Sequence, residues 1–386
     1  MPLVSRFQIE PELYDWRVLN SRLIQWSLIG LLAILAIISR LNFNGLIFDF
    51  DYGIYQPDGS HYAYRTLTFL GVDANLAATQ VVDWYQVHGI KNNLFDVSLL
   101  SPENTATWGL VAPRVLYSIL SIPFVYGLGI PGMLAIPILS FVTLIFVVFR
   151  ICESKKQQAA GFLLVIVLTT SPTVLRWMIA NITDSLLAAL FGVVALILSS
   201  NLSKKAWYLS IGILILLTSS TRFCLPIWIG ISIVYFLNKM PARGNVVFLL
   251  SSLSFIPTYL FMPENAVLPG SVASSGTQKA IDLAYSFFKV GFIELAQLAA
   301  MDRTLLILLI ASALLSIMNI KQMSSQCFIA TLFSVWLIGA INGTLGVNFR
   351  YQLPLLAFAC WTIGSNLSQL PNWDGWRRIN IVSKKT

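Results

Sequence analysis

The chain has 386 residues, of which 56% are hydrophobic and only 11% charged, and it carries a net charge of +8. Soluble domains hold about 25% charged residues. Less than half of that, with a mean hydropathy of +0.75, sets aside ordinary water-soluble enzymes and binding modules. The basic excess suits the inner ends of membrane helices better than nucleic acid, for which no base-reading motif is present.

Residues 1–22 are a mixed-charge amphipathic leader, read as cytoplasmic. The first apolar run, 23–41, has no small-residue cleavage site after it and reads as a retained signal anchor. Further runs follow at 131–151, 159–175, 185–202, 207–220, 223–237, 246–262, 304–320, 327–345 and 351–367. Most approach the ~20 residues that cross a ~30 Å hydrocarbon core, and together they predict ten spans. The stretch 115–129 is also apolar. Counted as a span, it would move Lys155, Lys156, Lys204 and Lys205 to the outside, against the positive-inside rule. It therefore reads as an outer juxtamembrane or re-entrant helix, ended by Gly127, Gly129, Pro131 and Gly132.

The predicted fold class is an all-α polytopic membrane protein of about ten transmembrane helices in a single domain, 1–386. A first outer loop, 42–130, holds juxtamembrane helices; a second outer loop spans 263–303; and 368–386 is a cytoplasmic tail. Cys152, Cys224, Cys327 and Cys360 lie in or beside apolar spans without metal-ligand spacing, and read as small buried hydrophobes.

The first outer loop contains QPDGSHYAYRTLTFLG, residues 56–71. Pro57 suits a first helical turn and Asp58 is favoured near a helix N-terminus. On a helix, Asp58, His61, Tyr62 and Arg65 stand at i, i+3, i+4 and i+7 and share one face. A carboxylate, an imidazole, a phenol and a guanidinium so placed suit acid–base chemistry beside a phosphate; a solvated polar face is the plainer reading of the same spacing. Arg114, Arg176, Asp184, Arg222 and Arg350 fall at the same membrane level, at outer ends of the predicted helices. Singly, each arginine reads as snorkelling to headgroups. Together around one acidic loop they describe a pocket for an anionic, phosphate-bearing ligand. The two histidines, His61 and His88, form no zinc motif, and spacing gives no warrant for a divalent ion. The Asn181 and Asn342 sequons lie at span ends, too near the bilayer to indicate glycans.

In its first span, long outer loop with an Asp motif and outer helix before the second span, the chain resembles the GT-C superfamily of integral membrane glycosyltransferases. The likeness is to the branch of protein O-mannosyltransferases and lipid A aminoarabinose transferases. PDGSHYAYR fits that branch's Asp-(Glu/Gly)-x-x-Tyr motif with Asp58, Gly59 and Tyr62. Arg114 in APRVLYSIL, Asp184 in NITDSLLAAL, and Arg350, Tyr351 and Pro354 in NFRYQLP match its further elements. The Gly after Asp58, where relatives commonly have an acid, and the lack of a soluble C-terminal domain are departures.

The resemblance implies transfer of a sugar from a polyprenyl-phosphate donor to a glycan, lipid or protein acceptor, on the outer face of a bacterial cytoplasmic membrane. It makes Asp58 the general base, with Asp49 and Asp51 as rivals. Asp184 would orient an arginine or the sugar. His61, Tyr62, Arg65, Arg114, Arg176, Arg222, Arg350 and Tyr351 would bind the donor, with no cofactor called for. A lipid-linked-sugar flippase and a polysaccharide polymerase or ligase are the competing readings.

Overall fold

The computed structural model describes residues 16–42, 54–88, 100, 114–260, 276–341 and 349–368. Their regular secondary structure is helical, with no strand among the described residues. The first helix, α1 (Trp16–Asn42), is followed by two short helices, α2 (Pro57–Phe69) and α3 (Ala74–His88). Next come α4 (Val115–Leu128), a 3-10 turn (Ile130–Leu134), α5 (Ala135–Ser154), α6 (Gln158–Thr170), α7 (Pro172–Met178) and α8 (Thr183–Ser199). The remainder is α9 (Lys204–Ser219), α10 (Leu225–Leu237), α11 (Pro241–Leu260), α12 (Gly276–Met301), α13 (Arg303–Met318), α14 (Met323–Ile341) and α15 (Leu355–Leu367).

Four helical segments among the described residues are long and apolar enough to cross a membrane: Arg22–Asn42, Ile130–Ser154, Ile281–Met301 and Met323–Ala340. The pair α6 and α7 makes a fifth if its 71° bend is taken as one broken span. The architecture is compatible with an α-helical membrane protein. Exposed apolar side chains such as Leu23, Ile24 and Phe292 are what lipid contact tolerates and water does not.

Three features differ from the sequence expectation. Ten full-length spans are not confirmed, because α8, α10, α13 and α15 are only 13 to 17 residues long, or about 20–25 Å at 1.5 Å per residue. The predicted span 159–175 breaks at Ser171, where Pro172 cannot donate to the preceding turn. The second outer loop, 263–303, contains the 26-residue helix α12. Its Lys, Asp and Glu residues dilute the hydropathy that marks a span.

Packing sorts the helices into two cores. The larger is built on α5, α8, α10, α14 and α15 around Phe191, Trp228, Phe358 and Trp361. The smaller joins α2, α3 and α4 through Tyr62, Ala77, Val81, Tyr85 and Tyr117. The stretch expected to form a separate outer helix, 115–129, is α4. It ends at Gly129, whose φ of +68° favours glycine.

Each short helix has a local cause. α2 begins with Pro57 and Asp58 in its first turn. It closes with Val72 N–H on the Leu67 carbonyl and Gly71 N–H on that of Thr68, a Schellman arrangement made possible by the positive φ of Gly71. α7 is capped by the Ser171 hydroxyl, which accepts from the Val174 amide at 3.1 Å.

Candidate functional site

Asp58 lies in the first turn of α2, and that turn is docked by Asn181. The Asn181 carboxamide oxygen accepts the Gln56 amide at 2.7 Å, its backbone amide donates to Ile54, and its amide nitrogen donates to the Tyr85 hydroxyl. Asn181 is fully buried, so its sequon is part of the core. A Cβ on Gly59 would run into the Asn181 side chain and carbonyl. Position 59 therefore has no room for a side chain.

The dock brings α2 against the start of α8. Asp184, in the first turn of α8, is only 2% exposed, and there it pairs with Arg222 from the turn after α9. Its other oxygen accepts from Nε of Arg350 at 2.9 Å. The Nη2 of the same guanidinium donates to Asp58 at 2.5 Å. Arg350 thus bridges the two carboxylates. Asp184 is sealed, whereas the Asp58 side chain remains 44% exposed.

Around this chain of charges, Arg114 at the head of α4 donates to the Tyr62 hydroxyl at 3.2 Å, and that hydroxyl stands 3.5 Å from Thr183 Oγ1. The backbone amide of Leu116 donates to the Ser220 carbonyl, which ties α4 to the turn carrying Arg222. Tyr351 lies under Arg222, its ring centroid 4.0 Å from the guanidinium carbon, and Trp177 lies 5.6 Å from that of Arg350. Both are cation–π distances.

The electrostatics follow from the pairing. The Arg350 guanidinium, with help from Arg114 and Arg222, holds the Asp58 carboxyl well below the usual carboxylate range, against the opposing effect of burial. Burial would lower the Arg350 value, but Asp184 and Asp58 outweigh it and raise it well above the ordinary one. His61, 8% exposed, is pushed down by burial, opposed by Asp58 and reinforced by Arg114. It therefore stays neutral near pH 7, and its Nδ1 is buried with no hydrogen-bond partner among the described residues.

Of the predicted site residues, Asp58, His61, Tyr62, Arg114, Asp184, Arg222, Arg350 and Tyr351 converge. Arg65 and Arg176 lie at the margin of the cluster, Arg65 close enough to Tyr62 for the two to interact electrostatically. Arg65 lies over Phe69 at 5.5 Å, and Arg176 lies over Trp177 at 4.7 Å and close enough to Arg40 to repel it. Asp49 and Asp51 fall outside the described residues. No group of three or more His, Cys, Asp or Glu suited to a metal ion occurs among the described residues.

Sequence reasoning missed three supports. Asn181 reads in the sequence only as a sequon, and Trp177 only as part of the outer turn between two spans. Glu294 of α12, 2% exposed, accepts the backbone amide of Phe349. Phe349 has a left-handed φ of 69°, which a large side chain rarely adopts; this turn aims Arg350. A left-handed aromatic leaves no mark in a sequence.

Compared with family profiles, curated proteins and solved structures, the chain has no match. The fold and site therefore define a class only: a protein whose described residues are all-helical, with membrane-capable helices and a carboxylate–arginine cluster gathered at helix ends.

Proposed function

We propose that the protein is an integral membrane glycosyltransferase. It moves a sugar from a polyprenyl-phosphate donor to an acceptor on the non-cytoplasmic face. The observation that carries this reading is the convergence of Asp58, Asp184, Arg114, Arg222 and Arg350 from five separate stretches of chain. Three guanidinium groups stand against two carboxylates, so one positive charge is in excess. That balance suits a phosphodiester monoanion.

Asp58, the exposed member, serves as the general base for an acceptor hydroxyl attacking the anomeric carbon. The arginines receive the phosphate, whose negative charge grows as the glycosidic bond breaks. Asp184 holds Arg222 and Arg350 in register. Tyr351 supplies donor-facing surface, and Tyr62, buried in the smaller core, holds Arg114 in place through its hydroxyl.

An apolar cavity of about 580 Å³ between α10, α12 and α14 is lined by residues from Pro226, four residues after Arg222, to Leu237 and Ile320. It is suited to a polyprenyl tail. With purified protein and a polyprenyl-phosphate sugar, Asp58→Asn should fold and bind donor but lose transfer. Full transfer by that variant removes the mechanism.

One observation favours a lipid-linked-sugar flippase: the 71° break between α6 and α7, since broken helices line transport paths. The charged cluster lies at helix ends rather than at span centres, which favours the enzyme. Flipping of a labelled lipid in proteoliposomes without covalent transfer would decide for the transporter.

A further inference from the structure

Resting on the glycosyltransferase reading, we propose that Arg350 is shared between Asp58 and the donor's phosphate. Release of its guanidinium from the carboxylate to the phosphate is what makes Asp58 a competent base. The geometry separates a fixed contact from an exchangeable one. Arg350 is anchored by its Nε to Asp184, which is 2% exposed and also held by Arg222. Its Nη2 contact is to Asp58, whose side chain is 44% exposed. An incoming anion can therefore replace Asp58 at Nη2 without disturbing the Asp184 anchor, and the displaced carboxylate moves towards solvent rather than into the core.

The paired carboxylate is a poor proton acceptor, because the cation that stabilises its charge must be given up when it is protonated. A phosphodiester donor carries one negative charge, and the departing phosphomonoester carries about two. As the bond between the anomeric carbon and the phosphate oxygen breaks, its electron pair stays on that oxygen, and the draw on Arg350 increases. Asp58 loses its cation in the same interval in which the acceptor oxygen bonds to the anomeric carbon and sheds its proton. That proton ends on the Asp58 carboxyl. The charge gained by the phosphate is thus matched by the charge lost at Asp58. One arginine couples leaving-group departure to base strength, and it orders the reaction: donor first, deprotonation second.

The test is calorimetric titration of detergent-solubilised protein with farnesyl phosphate, a short polyprenyl monophosphate. Removing a partly exposed competing carboxylate should tighten binding about fivefold in Asp58→Asn, with Asp58→Ser read in parallel in case the first variant folds poorly. Arg350→Gln should weaken binding, and in the Arg350→Gln background the Asp58→Asn gain should vanish. A gain that persists there comes from net charge alone and overturns the exchange. So does an unchanged or weaker Asp58→Asn affinity alongside weakened Arg350→Gln and Arg222→Gln, although the phosphate site itself then stands. No binding by the wild type, or no effect of any arginine variant, defeats the glycosyltransferase reading instead.

Discussion

Nε of Arg350 donates to Oδ2 of Asp184 at 2.9 Å, across 166 positions of sequence. This bond joins the turn before the last helix to the first turn of α8. With Arg222 on the other carboxylate oxygen, it makes Asp184 the structural centre of the cluster, while Asp58 occupies its accessible edge.

Asp184 and Asp58 should accordingly respond differently to the same substitution. Removing one partner of a buried ion pair costs about 3–5 kcal/mol, so Asp184→Asn should lose stability in a thermal or SDS titration. Arg222→Gln should do likewise, and the double variant should lose less than the sum of the two. Asp58→Asn should leave the midpoint nearly unchanged, because its pair is partly exposed. Equal losses at the two aspartates contradict this division.

Gly59→Ala should undock α2. Its new methyl meets Asn181 at a distance no side chain tolerates, and overpacking of this kind costs about 1–3 kcal/mol. A cysteine placed at position 58 in that background should react faster with a hydrophilic maleimide than in the otherwise native chain. An unchanged rate would mean that α2 does not rest on Asn181.

His61 carries a pH dependence. Burial lowers its pKa below the ordinary 6.5, so the unfolded chain takes up a proton that the folded chain refuses. Stability is complete above pH 6.5 and falls as the pH drops from there towards the lowered value, by at most about 1.4 kcal/mol per pH unit. His61→Gln should flatten the stability profile between pH 7 and 5. A profile identical to wild type would show that the imidazole is protonated as readily in the folded state.

Glu294→Leu removes the acceptor for the Phe349 amide and should release the turn that aims Arg350. The expected result is a raised KM for the lipid donor. Glu294→Gln, which keeps an acceptor oxygen, should restore most of the affinity. Loss of the same size in both variants would assign Glu294 a role through its charge.

The sequence made α2 legible because its punctuation is local. Pro57 and Asp58 open it and Gly71 closes it, so the shared face of Asp58, His61 and Tyr62 could be drawn from spacing alone. Arg114, Arg222 and Arg350 were legible together, since polar residues at apolar helix ends have few uses; Arg176, grouped with them by the same reasoning, stacks on Trp177 instead. Their partners were not, because Asp58 meets Arg350 across 292 positions and helical periodicity has no reach at that range. The break before α7 was hidden by hydropathy, which averages across Ser171 and Pro172. It is held by Asp302, which no local pattern links to it. Its carboxylate accepts from Ser171 Oγ and the Thr173 amide at the start of α7, and from the Leu305 amide of α13.

A cryo-EM structure of the protein in a lipid nanodisc with a bound polyprenyl phosphate tests the central claim most directly. Phosphate density should lie within hydrogen-bond distance of Arg350, with Asp58 turned towards the open side of the cluster and Asp184 still held by Arg222. Phosphate density at the opposite end of the bundle, beside Lys204 and Lys205, with the Asp58–Arg350 pair intact, would contradict the account.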